Sequence, residues 1–154
     1  MPARQSPAPS ARRVAMDCLA RREHSVLELR RKLAARDFDS AEIDATLAGL
    51  QADGLLSDAR FAEAFARGRI RRGQGPVKIR LELEARGIAG ELVSEILDGE
   101  DWAALANAAR RKRFGQNPPR EYRERARQAR FLQQRGFAMG DIQAALGADA
   151  DDED

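Results

Sequence analysis

Arginine and lysine side chains carry the one pattern in this chain that suggests chemistry. Arg67, Arg69, Arg71 and Arg72 crowd one short stretch, and Lys78 and Arg80 follow within a few residues. Arg110, Arg111, Lys112 and Arg113 form a second run. Beyond it Arg120, Arg123, Arg127 and Arg130 recur at spacings of three and four, which on a helix places them on one stripe. Between positions 110 and 135 there are ten arginines and lysines against two acids, Glu121 and Glu124. A solvated helix face is the bland reading of any one run. Two separate clusters without balancing acids favour an anionic partner instead, either a phosphate backbone or an acidic protein surface. Charge alone does not choose between those two.

Residues for catalysis are missing from the pattern. The single histidine, His24, precedes a Ser25 cap and reads as a solvated or capping residue. Cys18 lies on an apolar helical face and reads as buried and structural. Glu82 and Glu84 fall on different helix faces among basic neighbours, so they are surface residues before they are an acid–base pair. Gly73 and Gly75 do not follow a strand and lack the lysine and hydroxyl residue of a phosphate loop. The sequence therefore points to no enzyme, no metal and no cofactor.

The elements that must position the arginines are helices. Ala, Leu, Arg and Glu dominate the 154 residues and no alternating strand pattern is visible, so the fold class is all-α. A charged share of 34% with 5% aromatics suits slender units better than one thick core. The net charge of +2 hides an asymmetry, because 149–154 holds five acids. One cysteine excludes an internal disulfide framework. No apolar run approaches twenty residues, and the start lacks a signal-peptide core. A soluble, cytoplasmic protein with no membrane partner, and a monomer, is expected.

Nine helices are legible. The first spans about 11–22 and buries Val14, Cys18 and Leu19. Ser25 with Glu28 and Asp39 with Glu42 read as capping boxes. Ser57 opens a helix whose Phe61 and Phe65 should both be buried. After Gly73, Gly75 and Pro76, the next helix sets Val77, Leu81 and Ala85 on one face with Ile79 and Leu83 alongside. Leu92 to Leu97 carry another, 101–114 the next, and a long helix from Pro119 to Arg135 pairs its basic stripe with an apolar one of Tyr122, Ala126 and Ala129. Ile142 and Leu146 mark the last.

These helices repeat. LAARDF at 33–38, LEARGI at 83–88 and LQQRGF at 132–137 recur fifty and then forty-nine residues apart. Each is followed by an apolar residue five positions on (Ile43, Val93, Ile142) and by a leucine four further (Leu47, Leu97, Leu146). Gly87 and Gly136 suit a left-handed helix C-cap, which Asp37 in the first copy tolerates less well. Three tandem three-helix units follow, at 11–54, 55–99 and 100–147, as an elongated solenoid with room for curvature. Tails at 1–10 and 148–154 should be disordered, and the acidic one could compete for the basic surface. In an end-to-end stack the two basic clusters should lie tens of ångströms apart, since a dozen-residue helix spans roughly 18 Å.

LLSDARFA at 55–62, followed by Phe65, Arg67, Arg69, Gly73, Gly75, Pro76, Ile79, Leu83 and the RGI at 86–88, resembles the core signature of the RecX family. The resemblance runs on through Trp102, Leu105, the KRFG at 112–115, the RFL at 130–132 and the RGF at 135–137, and covers about residues 11 to 147. Asp37 and the acidic end depart from the pattern. The resemblance implies tandem three-helix repeats lying in the groove of the RecA–single-stranded DNA filament. It also implies a non-enzymatic role in DNA repair, recombination and the SOS response, inhibiting RecA's ATPase, strand exchange and co-protease activities. The partner so implied is the RecA nucleoprotein filament, with direct contact to single- or double-stranded DNA as a further expectation. The alternatives are a free-standing DNA-binding module built from helix-turn-helix-like units and a purely structural adaptor.

Overall fold

A computed structural model describes residues 7–147 of the chain. Among them are nine α-helices and no strand: α1 (Ala11–Arg21), α2 (Val26–Ala35), α3 (Ser40–Ala52), α4 (Asp58–Arg71), α5 (Pro76–Ala85), α6 (Gly90–Asp98), α7 (Trp102–Phe114), α8 (Tyr122–Gln134) and α9 (Met139–Ala145). The acidic tail and positions 1–6 lie outside the described residues. Of the expected N-terminal tail, Ser10 is a helix cap, its hydroxyl accepting from the Arg13 N–H at 3.2 Å.

Local chemistry sets the helix ends. Ser25 and Glu28 form a full capping box, each side chain accepting from the other's backbone N–H. Asp39 caps α3 through the Glu42 N–H at 2.7 Å, without the reciprocal bond that would make a box. Helices close on a left-handed residue whose successor donates back five residues. Phe38 reaches the carbonyl of Leu33, Gln74 that of Arg69 and Phe137 that of Leu132. Asp37 itself takes φ 64°, so the aspartate adopts the conformation that glycine supplies at 87 and 136.

The chain divides into two compact units, one running to Ala62 and including Arg86–Ile88, the other made of Glu63–Ala85 and the chain from Ala89 onward. In the first, α1, α2 and α3 pack on one another around Val14, Leu29, Leu33, Ile43, Leu47, Leu50 and Leu56. Cys18 is only half-buried at the edge of that core. In the second, α7, α8 and α9 enclose Ala106, Leu132, Phe137, Ile142, Ala145 and Leu146. The Trp102 indole N–H donates to the Leu97 carbonyl at 2.8 Å and ties the start of α7 to the end of α6.

The two repeat glycines do more than turn the chain. A Cβ on Gly87 would stand 2.8 Å from the Leu27 Cβ, at the first turn of α2. One on Gly136 would collide with Lys78 in the first turn of α5. Each Arg-Gly turn therefore docks against the start of the second helix of the repeat before it, and the contact leaves no room for a side chain.

Several expectations from the sequence need correction. On α5 the buried pair is Ile79 and Leu83, while Val77 and Leu81 are 50% and 63% exposed and Ala85 is also exposed. Apolar residues at 77, 79, 81 and 83 cannot share one face at 3.6 residues per turn, and α5 buries the pair one turn apart at 79 and 83. Tyr122 is 85% exposed, so it is no part of an apolar stripe; α8 instead buries Gln128 and Leu132. Phe61 is buried as expected, but Phe65 is half-buried beneath the Arg69 guanidinium, 4.6 Å from its ring centre. His24 is buried rather than solvated: its Nδ1 meets the Arg22 carbonyl oxygen at 3.0 Å and its Nε2 meets the Lys32 ammonium at 2.9 Å.

Candidate anion-binding groove

Two helix ends deliver most of the cations. Arg69 and Arg71 occupy the last turn of α4, and Arg111, Lys112 and Arg113 the last turn of α7. Basic residues suit these positions because the C-terminal carbonyls carry partial negative charge. The two ends do not stand apart. Arg71 and Arg72 share one groove of about 350 Å³ with Lys112, Arg113 and Arg135. The floor is apolar, made by Ile70, Leu105, Ala108, Ala109 and Phe131, and no carboxylate lines it. The expectation of clusters tens of ångströms apart is thereby corrected for their adjoining ends. The helices fold back on one another within the second unit rather than following in a line.

The backbone holds the groove in shape. The Gly75 N–H donates to the Arg135 carbonyl at 2.7 Å, and the Val77 N–H to the Gly136 carbonyl at 2.9 Å. The Arg135 guanidinium returns a bond to the Arg72 carbonyl at 3.2 Å. The break after α4 and the turn after α8 are thus stitched together from both sides.

Aromatic rings then position the guanidinium groups. Phe114 and Phe131 meet edge to face at 5.3 Å between centroids. Arg113 and Arg127 lie over Phe114 at 5.7 and 5.2 Å, and Arg135 lies over Phe131 at 5.0 Å. Each such contact contributes about 0.5–1 kcal/mol at an exposed site. The stacked cations keep other partners too: Arg135 donates to the Arg72 carbonyl and Arg127 to the Glu124 carboxylate.

The fourteen sequence candidates fall into distinct groups. Arg71, Arg72, Lys112 and Arg113 rim the groove. Arg69 is drawn out of it, with its Nε 2.9 Å from the Glu82 carboxylate. Arg80 lies 3.8 Å from Glu84 and donates to the Ser94 hydroxyl at 3.2 Å. Arg67, Lys78, Arg111, Arg120, Arg123 and Arg130 are exposed. Arg120 stands before α8 rather than on it, so the helical stripe is Arg123, Arg127 and Arg130. Arg127 is partly neutralised by Glu124 at 3.3 Å. The Glu124 carboxyl titrates below its ordinary value, chiefly because the Gln128 amide donates to it, with Arg127 adding to the effect against a smaller cost of burial.

Arg110 lies elsewhere. It is 2% exposed, and its guanidinium donates to the carbonyls of Gly115, Gln116 and Asn117 at 3.3–3.4 Å and to the Asn107 side-chain oxygen at 3.2 Å. Burial first, and then the charge of Arg111, lower its pKa. It binds the α7–α8 loop together from inside and presents nothing to a partner.

Sequence reasoning missed Arg135 and Phe131 as site residues. Arg135 directly precedes the repeat glycine and reads as part of a turn; its place in the groove depends on the docking of that turn. Arg125 was missed for a similar reason. It looks like one more surface arginine, yet it donates to the Pro119 and Leu146 carbonyls at 3.2 and 3.0 Å. Among the described residues there is no cluster of metal-ligating side chains, and no helix is long and apolar enough to cross a membrane.

Three RecX family models match the chain: the first three-helix domain over residues 11–50, the second over 57–97 and the third over 99–146. A protein named Regulatory protein RecX from Halorhodospira halophila is 48% identical over 147 residues, covering 94% of this chain and 91% of its own length. Its namesake from Chromohalobacter salexigens is 48% identical over 134 residues, covering 86% and 88%. The crystal structure of RecX from Lactobacillus salivarius superposes with a TM-score of 0.77 at 19% identity, over 90% of this chain and 93% of that one.

Proposed function

The chain belongs to the RecX family of regulatory proteins, and we propose on that footing that it acts in the cytoplasm on the RecA–single-stranded DNA filament. It lodges against the filament and inhibits the ATPase, strand exchange and co-protease activities that depend on it. The observation that carries this reading is the α4–α7–α8 groove, where five cations surround an apolar floor that no carboxylate lines. Such a surface attracts phosphate or carboxylate by charge and keeps an apolar contact for specificity.

The chain works here as a binding protein, not as an enzyme. Its side chains do no chemistry on the partner; they hold it and restrain the motions that accompany ATP turnover. Arg71, Arg72, Lys112, Arg113 and Arg135 form the central contact. Arg123, Arg127 and Arg130 on α8 add a second cationic face. Repeat boundaries at 11–54, 55–99 and 100–147 belong to the same proposal, each repeat presenting its own surface to the filament.

Co-sedimentation of RecA, single-stranded DNA and this protein, with each omitted in turn, tests the reading. The protein should pellet with the RecA-coated strand and stay in the supernatant with RecA alone. Equal pelleting with bare DNA at physiological salt would favour a free-standing DNA-binding module instead, with a steep salt dependence.

A further inference from the structure

We propose that the α4–α7–α8 groove takes a protein segment whose apolar side chains are flanked by carboxylates, and not a stretch of single-stranded nucleic acid. That the segment belongs to the filament rests on the function proposed above; the selectivity of the groove does not.

Charge complementarity sets the rim of the occupant. Among the described residues that line the groove, Arg71, Arg72, Lys112, Arg113 and Arg135 are cationic and none is acidic. Carboxylate and phosphate both answer that charge. The choice between them lies with the rest of the lining.

The floor favours a protein side chain. Ile70, Leu105, Ala108, Ala109 and Phe131 offer hydrocarbon alone within a groove of about 350 Å³. Such a floor rewards the burial of a Leu or Phe side chain and leaves the polar edge of a nucleobase without a partner. The amino groups of adenine, cytosine and guanine need acceptors. Every polar side chain in this lining is a donor only. Stacking is served little better. Phe131 is the one aromatic residue among those lining the groove. Its ring already carries the Arg135 guanidinium at 5.0 Å and meets Phe114 edge to face. Proteins that hold single strands instead set a row of aromatic platforms along a basic channel.

The backbone points the same way. Phosphate sites draw on the free N–H groups of a helix N-terminus. Here the cations of α4 and α7 come from the last turns of those helices. The amides at the end of α4 are spent, since Arg72 donates to the Arg69 carbonyl at 3.1 Å and Gly73 to that of Ile70 at 2.9 Å. Guanidinium and ammonium groups therefore do the anion binding, and they serve a carboxylate as well as a phosphate.

The test has two arms. In the first, with neither RecA nor DNA present, backbone amide spectra of the full chain are followed during three titrations at one salt concentration. The probes are the end-blocked peptide EDLFED, the peptide EDSSED and hexathymidylate. EDLFED should shift the amides of Arg71–Gly73, Ala109–Arg113 and Arg135. It should bind at least about tenfold more tightly than either control, as burial of one apolar side chain predicts. Arg72→Glu with Lys112→Glu should abolish those shifts. Groove amides unmoved by EDLFED overturn the proposal, and so does hexathymidylate bound as tightly as the peptide. Equal binding of EDSSED overturns the role of the floor.

In the second arm a diazirine photocrosslinking residue takes the place of Ala108, which is exposed on the floor. Illumination of the complex with the RecA–single-stranded DNA filament should join it to protein. Adducts with the DNA overturn the proposal and leave the function proposed above intact. Failure of the native chain to pellet with the filament refutes that function, while the first arm still decides the chemistry of the groove.

Discussion

The Gly75 N–H and the Arg135 carbonyl lie 2.7 Å apart, joining the loop after α4 to the turn after α8 across sixty residues of sequence. This bond fixes Arg72 and Arg135 on the same rim. It requires glycine, because a Cβ at position 75 would stand 2.5 Å from the Gly136 backbone carbonyl. Gly75→Ala should therefore destabilise the second unit by about 1–3 kcal/mol through overpacking. Gly54→Ala, where nothing lies within 4 Å, costs only left-handed strain of about 1–3 kcal/mol. Thermal melts will show whether both lose stability. Only the first should also weaken partner binding at temperatures where each variant remains folded.

Arg110 separates structural from contact arginines. Its removal takes from three loop carbonyls and the Asn107 oxygen their charged donor, and a hydrogen bond to a charged group contributes about 1.5–3 kcal/mol. Arg110→Met should lower the melting temperature markedly, whereas Arg111→Ala next to it should change it little. A melt in which the two variants behave alike would contradict the buried role.

His24 makes stability depend on pH. Burial is the largest cause that lowers its pKa from 6.5; the Arg22 carbonyl opposes it, and the charges of Arg22 and Lys32 lower it further, with Glu28 working the other way. Nδ1–H donates to the Arg22 carbonyl and Nε2 accepts from the Lys32 ammonium, so a second ring proton would face that ammonium. Below 6.5 the unfolded chain takes up a proton that the folded chain refuses, and stability falls as pH drops through that value. Glu28 extends the slope to lower pH. Burial pushes its carboxyl up, but the Arg22 guanidinium and the Ser25 N–H outweigh this and bring it below 4.5. Chemical denaturation between about pH 7.5 and 5.5 should show the decline in the native sequence and a flatter profile in His24→Gln.

Much of this architecture was legible in the sequence, because its signals are local. The Ser25–Glu28 box, the left-handed caps and the Leu33, Leu83 and Leu132 repeat need only neighbouring residues to read. The groove was not legible in the same way. Lys112 and Arg113 stand some forty residues from Arg71, and only the folding of α7 and α8 beside the end of α4 brings them together. Composition likewise cannot tell Arg110 from Arg111. One ends inside and the other outside because a helix turns about 100° per residue. On α5, apolar residues at 77 and 81 imitate a core face that the fold leaves exposed, and tertiary contact alone decides between the two faces. Cutting the chain at Gly115–Pro118, a natural way to separate two distant clusters, would instead divide one core, since α7 shares it with α8 and α9.

The central claim is that the groove, not basic charge in general, engages the filament. The measurement is RecA's DNA-dependent ATPase rate against added protein, for the native chain, for Arg72→Glu with Lys112→Glu, and for Arg123→Glu with Arg130→Glu, with melting temperatures taken in parallel. All three should melt within a few degrees of one another, since exposed charges contribute about 0–1 kcal/mol each. The groove variant should need at least about tenfold more protein for half-inhibition, a loss near 1.4 kcal/mol, and the α8 variant distinctly less than that. A folded groove variant that inhibits as well as the native chain would contradict the account.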